Sequence, residues 1–269
     1  MMELLGFLAA RAVPGLEEVA GSCYRRSLEL DGGAAVAAVS VGTGPRIELR
    51  VDDERDRPDA LARCRRLLDL DADTARIDAE LGRDPLLAPL VRRRPGLRVP
   101  RATDGFELAV RAVVGQQVTL AAARRTAGRL VALYGRTLDE PAGAITHLFP
   151  TPAAIAEVDS LELRMPRMRA NALRELARAV LDGELDLRPG ADREAATSAL
   201  LELPGIGPWT ASYVCMRALG DSDAFPPRDA AVRRALERLG EDGHPAAAQR
   251  LAERWRPWRS YALMHLWRA

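Results

Sequence analysis

Hydrophobic periodicity changes once along this chain, near residue 80. Before that point apolar and polar residues alternate. Arg46, Ile47, Glu48, Leu49, Arg50 and Val51 step from face to face as a half-buried strand does. Two earlier runs, 24–30 and 34–41, flank Asp31-Gly32-Gly33, a hairpin-type turn. Gly42-Thr43-Gly44-Pro45 turns the chain again, and residues 61–70 read as a helix. Residues 91–100 form a linker rich in Pro and Arg. Beyond it apolar residues recur at helical spacing almost to the end. The spacing predicts helices over 106–114, 117–134, 167–181, 193–201, 208–218, 229–239, 246–255 and 257–267. The expected fold is mainly α, with an N-terminal α+β domain built on an antiparallel sheet (residues 1–85) and a helical region (86–269). No internal repeat or low-complexity tract interrupts this plan.

Composition narrows the chemistry. The chain has 39 basic residues against 38 acidic ones, a net charge of +1. That balance excludes a histone-like binder and an acidic disordered chain. Every basic residue is arginine, which excludes a lysine Schiff base and a P-loop lysine. The bland source of this bias is GC-rich codon usage. Charge is uneven: residues 81–140 hold 11 Arg against 5 acidic residues, and 224–269 hold 9 against 5. Residues 1–80 and 141–223 are acidic, with 11 Arg against 16 and 8 against 12. If the basic segments meet, they make a DNA-binding face; otherwise they are solvated helix faces. Cys23, Cys64 and Cys215 are too scattered for a disulfide framework, zinc site or iron–sulfur cluster. His147, His244 and His265 are equally scattered, so no metal site is expected. No apolar run reaches the roughly 18 residues of a membrane span. The start, MMELLGFLAARAVPG, reads as an amphipathic helix rather than a signal peptide, and no membrane partner is expected.

The most specific local string is Leu203-Pro204-Gly205-Ile206-Gly207-Pro208-Trp209-Thr210-Ala211. It joins two helices by a tight turn. Gly205 and Gly207 permit positive φ and close approach of another backbone, and Pro208 suits a first helical turn. The free N–H groups of such a turn make an anion site for one phosphate, gripping a nucleic-acid backbone without reading bases. This is a helix–hairpin–helix pattern. Further on, Pro226-Pro227-Arg228-Asp229 leads into a helix. An aspartate there is a ready N-cap, and the hairpin upstream turns the reading toward a reactive carboxylate.

With these motifs the chain resembles the helix–hairpin–helix-GPD superfamily of DNA glycosylases, and within it the bacterial AlkA-type 3-methyladenine DNA glycosylase II. The resemblance covers nearly the whole chain, including residues 6–13, 65–71, 94–98, 106–118, 203–213, 225–229 and 253–263. It implies a sheet domain plus two helical subdomains with a cleft between them. It implies a base-excision repair enzyme that flips alkylated bases, of the 3-methyladenine and 7-methylguanine type, out of double-stranded DNA and hydrolyses the N-glycosidic bond. Asp229 would be catalytic, and Trp209, Tyr213 and Trp267 would line the base pocket. Leu203, Gly205, Ile206, Gly207 and Thr210 would hold the DNA backbone, and Gln117 would be the wedge. Trp209 and Tyr213, four apart, share a helix face, though helix packing alone would also account for them. Trp255 and Trp258 are assigned to the core. Bifunctional relatives carry a lysine in the helix of Trp209, so this chain is expected to be monofunctional and to leave an abasic site without strand cleavage. No cofactor is implied; a monomer in the cytoplasm, at the nucleoid through DNA, is expected.

Three departures from the family pattern stand out. Gln117 replaces an apolar wedge, and reads either as a wedge or as a polar helix-start residue. Arg268 stands beside Trp267 where a tyrosine is expected, altering the pocket wall or adding positive charge. The strand expected before residues 1–7 is missing. A missing edge strand leaves an open sheet edge, and it reads either as a start set late or as a domain once fused to an alkyltransferase-type partner, as in some relatives. Two other functions stay open: a non-catalytic damaged-DNA-binding module in which Asp229 only caps a helix, and a glycosylase for deaminated or oxidised bases.

Overall fold

The structure is a computed structural model that describes residues 1–42 and 44–269. The turn expected at 42–45 therefore includes one residue, Thr43, outside the described residues. The chain opens with α1 (Met2–Arg11), whose Leu4, Leu5, Phe7 and Leu8 are buried. Four antiparallel strands follow in the order β1 (Glu17–Ala20), β2 (Cys23–Leu30), β3 (Gly33–Val41) and β4 (Pro45–Val51). Strand β3 is buried on both faces. Ala35 and Ala37 pack with Ala60 and Cys64 of α2 (Arg57–Leu67). Ala34 and Val36 pack with Leu138, Ile145 and Leu148 on the other side. Two covering layers leave room only for small side chains, so the alanine run of this strand is a packing requirement.

The second covering layer is a two-stranded ribbon, β5 (Thr137–Ala142) and β6 (Ile145–His147). It corrects the expectation that the chain beyond residue 100 is helical almost to its end. The linker expected at 91–100 is also partly helical: α3 (Thr74–Leu81) and α4 (Ala88–Arg93) precede and enter it. The remaining helices are α5 (Gly105–Val114), α6 (Leu120–Tyr134), α7 (Pro152–Ala156), α8 (Arg167–Leu181), α9 (Arg193–Glu202), α10 (Pro208–Ala218), α11 (Ala230–Arg238), α12 (Pro245–Ala252) and α13 (Arg259–Leu266).

Most of these helices belong to two cores. One gathers α5, α8, α9 and α10 around Val110, Leu173, Leu200 and Val214. The other gathers α3 and α4 with α11 to α13 around Ile77, Leu90, Val232, Trp255 and Leu263. Packing in the second core therefore crosses residue 85: apolar residues between 77 and 99 pack there against residues 224–266. Trp255 is buried as expected, edge-on to Phe225 at 5.9 Å. Trp258 is half-buried, and its indole N–H donates to Glu80 at 2.6 Å. Helix α5 runs at the centre. Asp104 caps it by accepting from the Glu107 N–H at 2.7 Å. Gly105 is required at its first position, because a Cβ there would lie 2.2 Å from the Leu187 carbonyl oxygen.

A buried charge network fastens the sheet to α5. The Arg26 guanidinium donates to Glu107 at 2.6 Å and lies 3.6 Å from Glu17. Arg111 reaches Glu107 at 2.7 Å and Glu17 at 3.0 Å. The Tyr24 hydroxyl donates to Glu17 at 2.6 Å. Two guanidiniums thus face two carboxylates, with their hydrogen-bonding capacity largely met inside the protein.

Candidate active site

Helices α9 and α10 are joined by the turn 203–207. Asp192 caps α9 by accepting from the N–H groups of Glu194 and Ala195. Gly205 has φ 81, so the turn uses the freedom that glycine supplies. Gly207 caps α10 in an extended conformation, φ −98 and ψ 174, with Pro208 in the first turn. Leu203 packs against the first helical core and Ile206 is buried in it. Among the described residues the N–H groups of Gly205 and Gly207 have no acceptor. They are free donors beside a helix N-terminus, the arrangement that suits a phosphate. Thr210 is buried, and its hydroxyl accepts from Gln116 rather than standing free.

Asp229 is the N-cap of α11 and is 7% exposed. Its Oδ1 accepts from the N–H groups of Ala231 and Val232 at 2.8 and 2.9 Å. Its Oδ2 accepts from the Trp209 indole N–H at 2.7 Å, and the Trp267 indole N–H approaches Oδ1 at 3.3 Å. Capping and a site role are therefore not alternatives. Two backbone and two indole N–H groups hold the carboxylate on the cleft wall.

The three aromatic residues predicted for a pocket come together. Trp209 stacks on Tyr213 with ring centroids 5.1 Å apart and planes 11° apart. Tyr213 meets Trp267 at 6.5 Å and 40°. They border a cleft of about 610 Å³ that Asp229, Phe7, Arg11 and Arg217 also line. Burial alone would raise the Tyr213 phenol, but the Arg217 and Arg11 guanidiniums outweigh it and hold it below its usual range. Arg217 donates to that hydroxyl at 2.5 Å and to the carbonyls of Pro100 and Arg101. It also lies 4.9 Å from the Phe7 ring centroid. Sequence reading missed Phe7, Arg11 and Arg217. The signal was present for two of the helical steps: Arg11 is four residues after Phe7, and Arg217 continues the 209, 213 spacing along α10.

One of the two readings of Gln117 falls away. It is not a helix-start residue, because Thr119 caps α6 and the helix begins at Leu120. Gln117 sits in the preceding loop, exposed, with φ 54. Its neighbours Val118 and Leu120, both exposed, line the cleft mouth. Arg268 lines the cleft as well, and it shares one carboxylate with a second arginine: Glu3 of α1 accepts from it at 3.0 Å and from Arg94 at 2.9 Å. Among the described residues no group of three or more His, Cys, Asp or Glu is gathered to hold a metal. No described helix is long and apolar enough to cross a membrane.

Comparisons with known proteins match this architecture. Residues 1–104 match the AlkA N-terminal domain, and residues 110–260 match the HhH-GPD superfamily base excision DNA repair protein family. The chain is 48% identical over 267 residues to a Mycobacterium tuberculosis protein described as a probable bifunctional transcriptional activator/DNA repair enzyme AlkA. That match covers 98% of this chain and 53% of the relative, so the chain spans about half of that relative's length. It is 40% identical over 270 residues to the Escherichia coli DNA-3-methyladenine glycosylase 2, covering 98% of this chain and 92% of the relative. The solved 3-methyladenine DNA-glycosylase from Archaeoglobus fulgidus shares the fold, with a TM-score of 0.83 and 24% identity over 99% of this chain and 94% of that one.

Proposed function

The chain belongs to the HhH-GPD superfamily of base excision DNA repair proteins, and from that premise we propose that it is a monofunctional DNA glycosylase for alkylated bases. The observation that carries this reading is the Asp229 carboxylate, held by two backbone N–H groups and two indole N–H groups on the wall of an aromatic cleft. A base must leave the stack before the bond to its sugar is accessible. The hairpin N–H groups of Gly205 and Gly207 would hold a phosphate of the damaged strand, with Leu203, Ile206 and Thr210 supporting the turn. Gln117 would occupy the gap in the duplex. The flipped base would enter the cleft against Trp209, Tyr213 and Trp267, whose faces suit an electron-poor ring. As the glycosidic bond breaks, positive charge grows on the sugar, and Asp229 would stabilise it and orient the attacking water. An alkylated purine carries positive charge already and leaves readily, so no strong acid is needed on the base side. On this reading the sheet domain, residues 1–85, braces the cleft through α1, and residues 86–269 carry the reacting groups.

The name of the E. coli relative supports this substrate class, and the absence of lysine supports base removal without strand cutting. The test is release of methylated purines from alkylated duplex DNA. The wild type should release them, and Asp229→Asn should lower the rate by about 10²–10⁴-fold. Borohydride should trap no covalent protein–DNA adduct. Full activity in Asp229→Asn removes Asp229 from its role. Absence of release by the wild type, with tight binding to abasic DNA, leaves a binding module instead.

A further inference from the structure

Gln116 makes four hydrogen bonds that reach three separate parts of the fold. Its N–H donates to the Val113 carbonyl of α5 at 3.2 Å. Its own carbonyl accepts from Arg169 of α8 at 2.7 Å. Its side-chain Nε2 donates to the Gly205 carbonyl at 2.9 Å and to the Thr210 hydroxyl at 3.1 Å. The amide orientation is set by chemistry, since the Gly205 carbonyl can only accept. The next residue, Gln117, is a non-glycine residue at φ 54. A backbone in that region persists only where its surroundings over-determine it. Here the surroundings are the two anchors on Gln116.

We propose that Gln116 is a positioning residue that locks the 115–119 loop to the hairpin turn. Gln117 and Val118 then stand at one fixed offset from the phosphate-binding N–H groups of Gly205 and Gly207. The inference rests on the glycosylase reading and deepens it. A duplex that gives a phosphate to the hairpin meets the loop at one defined step of its base stack. Release of the lock leaves the phosphate grip intact and lets the loop drift. The cost then falls on extruding a paired, stacked base, and not on handling a base that is already unpaired.

The experiment compares wild type with Gln116→Leu, and with Arg169→Met, which deletes the second anchor from the opposite side. Single-turnover base release is measured with the lesion paired in duplex DNA and with the same lesion in a one-base bulge. Both variants should slow release from the paired site by about tenfold and from the bulge by less than about threefold. Equal slowing of both substrates means a general structural role and overturns the proposal, as does no slowing of either. Extrusion is also read without chemistry, from 2-aminopurine fluorescence beside the lesion, in an Asp229→Asn background. Should the wild type release no base from either substrate, the glycosylase reading fails while this signal still decides the lock. A drop of about tenfold in the extruded fraction supports it, and an unchanged fraction overturns it.

Discussion

Glu107→Gln tests the join between the sheet and the helical cores. Glu107 is 4% exposed and accepts from Arg26 at 2.6 Å and Arg111 at 2.7 Å. The amide keeps the size of the side chain and one acceptor oxygen but removes a negative charge. The buried Arg26 and half-buried Arg111 guanidiniums then share a single carboxylate, Glu17, which lies 3.6 Å from Arg26 and 3.0 Å from Arg111. Leaving a buried charge without its partner costs about 3–5 kcal/mol. With an unfolding entropy of about 2.1 cal/mol/K per residue over 269 residues, the thermal midpoint should fall by about 5–9 °C. Urea unfolding at neutral pH, followed by circular dichroism, should give the same loss with an unchanged denaturant slope. Removing both members of the tightest pair, Arg26→Met with Glu107→Leu, should restore part of the loss, because apolar residues of similar volume replace a buried ion pair at little cost. A loss under about 1 kcal/mol in Glu107→Gln would refute the reasoning, since it would mean that the network is solvated or rearranges freely.

Acid should act through the same network. Burial alone would raise the Glu17 carboxyl, but the Arg111 and Arg26 guanidiniums outweigh it and hold it at about 2, below its ordinary 4.5. Its contribution is complete above pH 4.5 and is lost as pH falls toward 2. A pH series of thermal midpoints should drop across that window, and Glu17→Gln should flatten the drop; an unchanged acid limb contradicts the assignment. Gly205→Ala forces a side chain into φ 81 and puts its Cβ 3.3 Å from that of Ala172. It should cost about 1–2 kcal/mol in urea unfolding and weaken binding to abasic duplex, and a neutral result removes the need for glycine in the turn. Trp209→Phe keeps an aromatic ring against Tyr213 but deletes the N–H that meets Asp229 at 2.7 Å. Base release should slow by roughly 10- to 100-fold, while affinity for abasic duplex stays within about threefold; unchanged base release would mean that the indole serves stacking alone.

Local features of this chain are legible in its sequence. The alternation in β4, the helix Arg167–Leu181 and the helix start at Pro208 were each read from periodicity and caps. The turn at Gly205 followed from residue type, and so did the cap at Asp229. The ribbon β5–β6 was not legible, because its strands are short and Pro141 argues against a strand. The start of α6 was misjudged because Gln117 looks as suitable for a helix as Leu120 does, and the deciding signal is the Thr119 cap. Long-range partners were beyond reach. Glu3 pairs with Arg268 from the far end of the chain, and Gln116 finds Gly205 across 89 positions. Nothing in the local pattern at either residue specifies such a partner.

The contacts of the Asp229 carboxylate also give the molecule an optical property. It has four tryptophans, and two of them, Trp209 and Trp267, donate to that one side chain. The other two are engaged elsewhere, Trp255 beside Phe225 and Trp258 on Glu80. Indole emission responds to stacking, to nearby charge and to water. Half of the tryptophans therefore line the cleft, where a guest would meet them, and the other pair lies away from it as an internal reference. Occupancy of the cleft can be followed on the unlabelled protein.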